Sequence, residues 1–216
     1  MPLLMYCIMG GSAPRADSMV GLGELEIARM ELAGITAFYS QSLSADVWLR
    51  APLKASALQF HRVLLNFFES AVIIPFRFPT ILENCDALAR HMNEQCERYK
   101  FLLKKLANKA QIDVRISFAD SHSPFRSGKE FLQQRRTRQE RLDSVARSIR
   151  DLVHDVSGEW RERSVPRGIR GFALLERSTI VSFKGKLATI QFPTDIKARV
   201  NGPWPVTEFL EELVEP

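Results

Sequence analysis

Apolar and polar positions alternate most strictly from Ile112 to Phe118. Ile112, Val114, Ile116 and Phe118 share one side, and Asp113, Arg115 and Ser117 take the other. A period of two marks a half-buried strand. Ile196, Ala198 and Val200, set against Asp195, Lys197 and Arg199, predict another. The opening run Met1-Pro2-Leu3-Leu4-Met5-Tyr6-Cys7-Ile8-Met9 is almost wholly apolar, and with no basic residues ahead of it reads as a strand rather than a leader. Leu25-Ile27 and Ile35-Ala37-Tyr39 predict a hairpin about Ala33-Gly34, with a change of phase near Arg29. Ala71 to Ile74, stopped by Pro75, and Phe172 to Leu175, entered through Gly168 and Gly171, are two further short apolar runs. Residues 10–23, rich in Gly and Ser, read as a surface loop.

Helical spacing interrupts these strands. Leu53, Ala57, Phe60, Leu64 and Phe67 form a one-sided stripe with Pro52 in its first turn. A second stripe runs Ile81, Cys85, Leu88, Met92, Cys96, Tyr99, Leu103, Leu106. Thr80 and Glu83 are spaced as its capping box, and Lys104 and Lys105 suit its last turn. A third helix opens on the box Ser127-Gly128-Lys129-Glu130 and carries Leu142, Val145, Ile149, Leu152, Val156 and Trp160. Upstream its stripe positions are Arg135 and Arg138, so its first turns should project from the core. A weaker helix is expected from Ser178 to about Ile190. Strands and helices interleave without a strict βα rhythm, which predicts an α+β protein of two small domains, 1–108 and 109–216, with mixed or antiparallel sheets covered by long helices.

Composition narrows the class. The 216 residues, 45% hydrophobic and 25% charged, suffice for a core and argue against wholesale disorder. No run reaches the roughly 18 apolar residues of a membrane span. Cys7, Cys85 and Cys96 form an odd set without a CxxC spacing, which suits reduced thiols and a cytoplasmic setting.

Candidate chemistry is sparse, and neither a catalytic residue nor a cofactor or metal site is expected. Gly128-Lys129 and Gly185-Lys186 lack the upstream glycine and following hydroxyl of a phosphate loop, and Gly21 with Gly23 lacks the third glycine of a dinucleotide fingerprint. His61, His91, His122 and His154 are scattered, and no HExxH occurs. Cys85 and Cys96 fall on the apolar stripe, and no G-x-S-x-G elbow is present. Glu94-Glu97 and Glu211-Glu212 read as solvated faces.

Charge is local. Between residues 126 and 150, eight cations face three anions, so the whole net charge of +5 resides there. Arg135, Arg136, Arg138 and Arg141 form its densest patch. A nucleic-acid-binding or regulatory protein using this basic helix is therefore the alternative reading, although no aromatic residues interleave with the arginines.

Two short stretches are more specific. Ile73-Ile74-Pro75-Phe76-Arg77-Phe78-Pro79-Thr80 places Arg77 between the aromatics Phe76 and Phe78, where it is expected to pin a strand-to-helix corner. Asn201-Gly202-Pro203-Trp204-Pro205 follows the last strand, with Trp204 offering a large ring to the core or to a partner beside the stiff Pro205. Together with Met5-Tyr6-Cys7, the hairpin segment from Leu25 to Ser40, and Gly202-Pro203-Trp204-Pro205-Val206-Thr207-Glu208-Phe209, their order resembles the gas vesicle protein F/L family over nearly the whole chain. Pro79 stands where that pattern has Gly, and Val206-Thr207 where it has Pro-Tyr. The resemblance implies two α+β domains, the C-terminal one ferredoxin-like. It also implies a cytoplasmic, non-enzymatic accessory protein of gas vesicle formation that binds the small hydrophobic shell protein and other accessory proteins.

Overall fold

The computed structural model describes residues 1–11, 20–48, 52–119, 127–166 and 168–210. The chain divides into two units. One holds Met1–Asn108 and the chain from Trp204 on, and the other holds Lys109–Pro203. The tail therefore sits with the N-terminal half rather than with the residues that precede it in sequence, and Pro205, Val206 and Phe209 are buried there.

The first unit is built on β1 (Leu3–Gly10), which pairs antiparallel with β3 (Ile35–Gln41) on one side and with β4 (Ile73–Pro75) on the other. β2 (Ala28–Leu32) extends the sheet beyond β3, and β5 (Ile81–Leu82) pairs with the start of β1. Every side chain from Leu3 to Met9 is fully buried, which explains the unbroken apolar run: a central strand covered on both faces has no polar side. α1 (Leu53–Ser70) covers one face through Phe60 on Tyr6 and Phe67 on Phe38, with ring centroids 5.2 and 4.4 Å apart. α2 (Cys85–Lys105) reaches the other, where Cys85 Sγ lies 3.9 Å from the Tyr39 hydroxyl.

The hairpin turns at Ala33 (φ 49°) and Gly34 (φ 85°), as the sequence suggests, but its first strand is Ala28–Leu32 rather than Leu25-Ile27. Two positive φ values give the tight turn whose twist matches the strands. The capping box at Thr80 does not form. Ile81 and Leu82 pair with Leu4 and Leu3, so the chain is still extended there, and α2 starts four residues later under Asn84, whose side chain accepts from the Ala87 amide at 2.9 Å. Leu102 takes the buried position expected of Leu103.

A buried polar cluster ties Leu22 and Glu26 to β1 and β3. The Tyr6 hydroxyl accepts from the Leu22 amide at 2.8 Å and lies 3.0 Å from Ser40 Oγ, which donates to the Glu26 carbonyl at 2.9 Å. Burial raises the phenol pKa, so it stays a neutral donor and acceptor. Tyr6→Phe keeps the ring but orphans the Leu22 amide. It should cost about 1–3 kcal/mol, read as a lowered urea midpoint with an unchanged slope.

The second unit runs β6 (Lys109–Phe118), α3 (Gly128–Asp155), β7 (Glu159–Val165), β8 (Gly168–Glu176), α4 (Ile180–Thr189) and β9 (Ile196–Trp204), with sheet order β7-β8-β6-β9. β6 pairs antiparallel with β8, and β8 with β7. Ala110, Ile112, Val114 and Ile116 of β6 are buried, as is the α3 stripe Leu142, Val145, Ile149 and Leu152. No described α3 side chain from Gly128 to Arg141 is buried, so the basic first turns do project. α3 stops at Asp155, short of the expected Val156 and Trp160. Ser157 turns back at φ 58° and the Gly158 amide donates to the Val153 carbonyl at 2.9 Å. Trp160 belongs instead to β7, an edge strand whose mixed polarity hides its period.

Candidate partner-binding surface

The two motifs singled out in the sequence meet on consecutive residues of α1. Phe60 points to the sheet, and the ring of Phe78 packs on it with centroids 5.1 Å apart. His61, the next residue, stacks with Trp204 at 5.1 Å and 57°. Phe78, His61 and Trp204 are all half-buried, Arg77 is exposed, and Pro205 is buried. Two exposed leucines of the same helix, Leu53 and Leu58, lie 63% and 54% open. Leu58 precedes His61 by three residues, so the two are neighbours on the helix surface.

Main-chain bonds help to hold the corner between β4 and β5. The Phe76 amide donates to the Tyr6 carbonyl at 2.9 Å, and the Met5 amide to the Thr80 carbonyl at 2.9 Å. The Thr80 hydroxyl donates to the Arg77 carbonyl at 2.6 Å. The Phe78-Pro79 and Gly202-Pro203 bonds are cis, and Gly202 has φ 114°, a conformation that favours glycine. The Phe76 ring lies 6.1 Å from His91, whose Nε2 is 2.6 Å from the Tyr99 hydroxyl. Burial lowers the His91 pKa, so its imidazole tends to stay neutral, and the same cause pushes Tyr99 up to about 12.

The four arginines of the basic patch have different surroundings. Arg136 pairs with Glu140 one turn on at 2.9 Å. Arg141 grips Asp195 with two bonds of 2.8 and 2.5 Å, and Arg138 lies 5.2 Å from the Phe118 ring centroid. Arg135 is exposed. Three of the four thus have partners within the second unit, which weakens the patch as a polyanion track.

The sequence singled out neither His61 nor a second cationic cluster. Arg115 of β6 and Lys197 and Arg199 of β9 line one cleft of about 280 Å³ with Ser117, Phe118 and Pro166. Both strands show their cations on the polar side of the alternation, but only the pairing of β6 with β9 brings them together. Among the described residues, no three His, Cys, Asp or Glu side chains are grouped to hold a metal ion, and no helix is long and apolar enough to cross a membrane.

The family of gas vesicle synthesis protein GvpL/GvpF matches this chain over residues 2–211. The chain belongs to that family. A role in gas vesicle assembly follows from membership of the GvpL/GvpF family. Among solved structures, the gas vesicle protein GvpF from Anabaena sp. PCC7120 superposes with a TM-score of 0.80 at 16% identity, covering 97% of this chain and 96% of that one. GvpF from Microcystis aeruginosa gives 0.77 at 14% identity, over 97% and 99% of the two chains. At such identities the likeness shows the shared α+β fold. No curated protein matches the sequence.

Proposed function

We propose that this protein is a non-enzymatic accessory factor of gas vesicle assembly, acting in the cytoplasm and at the vesicle. In this reading it binds the small hydrophobic shell protein and other accessory proteins. Its contact surface is the one where α1, Arg77-Phe78 and Trp204-Pro205 meet. The observation that carries this is the convergence of both family-like motifs on Phe60 and His61, with Trp204 half-buried and Leu58 exposed beside them. A large ring fixed at a rim and flanked by open aliphatic side chains is what an interface anchor requires. Such a surface would cover an apolar, self-associating subunit until it joins the growing wall. The β-α-β-β-α-β order of the second unit supports its reading as a ferredoxin-like module.

Co-expression with the shell protein, followed by capture on the tagged chain, tests this. Wild type should retain the shell protein. Trp204→Ala and, separately, the surface change Leu58→Glu should each lower the captured amount at least about tenfold, while Arg135→Glu leaves it unchanged. Because Leu58 is exposed, its variant should fold even where Trp204→Ala does not. Absence of capture by wild type overturns the binding reading. Full capture by both variants moves the contact off α1.

A further inference from the structure

We propose that β9 is a docking edge that accepts an extended segment of a partner polypeptide in which acidic and apolar residues alternate. The proposal rests on the reading of this protein as an assembly factor and names the chemistry of one partner segment.

β9 ends its sheet: among the described residues its strand neighbour is β6 alone. The Asp195 carbonyl accepts from the Ala119 amide of the β6 side at 2.8 Å. Backbone groups alternate direction along a strand, so Lys197 and Arg199 share that inward sense, and the amides and carbonyls of Ala198 and Val200 face away from β6. An open row of donors and acceptors is a template for a further strand. At its far end, Lys184 Nζ donates to the Gly202 carbonyl at 2.9 Å.

The two faces flanking this edge differ in chemistry. On one, Leu187, Ile190, Phe192, Ala198 and Val200, together with Lys184, line a mainly apolar groove of about 370 Å³ between α4 and β9. On the other, Arg115, Lys197 and Arg199 stand exposed around the smaller cleft, and no carboxylate of the described residues pairs with them. An added strand sends successive side chains to opposite faces. Its apolar residues would meet the groove, and its carboxylates would meet three cations. Charge complementarity thus selects an acidic-apolar strand. A basic one is repelled, and a nucleic acid has neither the backbone donors for the edge nor side chains for the groove.

Fluorescence anisotropy on the full chain, with a labelled seven-residue peptide alternating Val and Glu, tests the proposal. Controls are a peptide of the same composition with Val and Glu in blocks, one with Lys for Glu, and a single-stranded DNA oligonucleotide. The alternating peptide should bind at least tenfold more tightly than every control and slow hydrogen exchange at the Ala198 and Val200 amides. The exposed double variant Lys197→Glu with Arg199→Glu should lower that affinity at least tenfold and favour the Lys peptide. Equal binding of the block peptide or the oligonucleotide, binding without protection of β9, or no binding overturns the proposal. Shell-protein capture and peptide binding by the wild-type chain separate the two readings. Retained capture with failed peptide binding removes only the docking edge, whereas wild-type chain that binds the peptide but captures no shell protein removes the assembly reading.

Discussion

Phe67→Ala should remove about 3–5 kcal/mol of stability from the first unit, the usual loss when a fully buried aromatic ring becomes a cavity. Phe67 is wholly buried, its ring centroid 4.4 Å from that of Phe38 on β3, and Phe38 is itself fully enclosed. The site has little room to collapse, because β3 is fixed in register between β2 and β1. A chain of this length shifts by roughly 2–4 °C per kcal/mol, so the thermal midpoint should fall by about 10 °C. Phe67→Leu, which keeps most of the volume, should cost less than about half as much. Thermal melts followed by circular dichroism check both. A midpoint within 2–3 °C of wild type for the alanine variant would mean that α1 is not held to the sheet by this contact.

Gly168→Ala should be the costliest single-methyl addition in the second unit, about 3 kcal/mol. A β-carbon at this position would stand 2.0 Å from the Ile116 carbonyl oxygen and 3.1 Å from the Ser117 Cα, both backbone atoms of the partner strand. Backbone cannot swing aside, so the first residues of β8 must leave β6, where Gly168 pairs with Ser117 and Ile169 with Ile116. Gly171→Ala provides the comparison. There the obstacle is the Trp160 ring at 1.9 Å, a side chain able to rotate away at the loss of its bond to Glu162, so a smaller effect is expected. Hydrogen exchange should quicken at the β6–β8 end in the first variant and around Trp160 in the second. The reverse ranking would show that β8 tolerates displacement better than the indole does.

Much of this architecture was legible because its signals are local. β6 keeps a strict two-residue alternation since one face meets helices and the other does not, and the structure places Lys109–Phe118 there as a strand. The apolar faces of α1 and α3 are found close to where their spacing puts them, apart from Leu53, which is exposed. The errors have one cause. Thr80 to Glu83 has the composition of a helix cap, but Ile81 and Leu82 are taken into the sheet by Leu3 and Leu4, nearly 80 residues away in the chain. Trp160 fits the helical period of α3, yet Ser157 and Gly158 turn the chain back, and β7 then pairs with β8. Long-range pairing overrides local preference when a strand finds its partner.

The candidate surfaces divide in the same way. Arg77, Phe78, Trp204 and Pro205 stand out in the sequence because an arginine between aromatics, or a tryptophan between prolines, is rarely placed without a reason. That Phe78 and Trp204 touch adjacent residues of α1 is a property of the folded unit alone. The arginines of α3 are conspicuous as a run, but the partners they find, Glu140 aside, come from β6, β7 and the turn before β9. Arg115, Lys197 and Arg199 are inconspicuous as a run and become a cluster when two strands align.

The amino-acid sequence by itself determined the α+β class, the apolar faces of most elements and, through motif order, the GvpL/GvpF family, because propensity and periodicity act over a few residues and motifs are read in order. Only the tertiary structure decided which strand lies beside which, where the tail belongs, and which side chains share a surface. Those outcomes depend on contacts between residues far apart in the chain, whose loop-closure cost is offset only once the cores have formed.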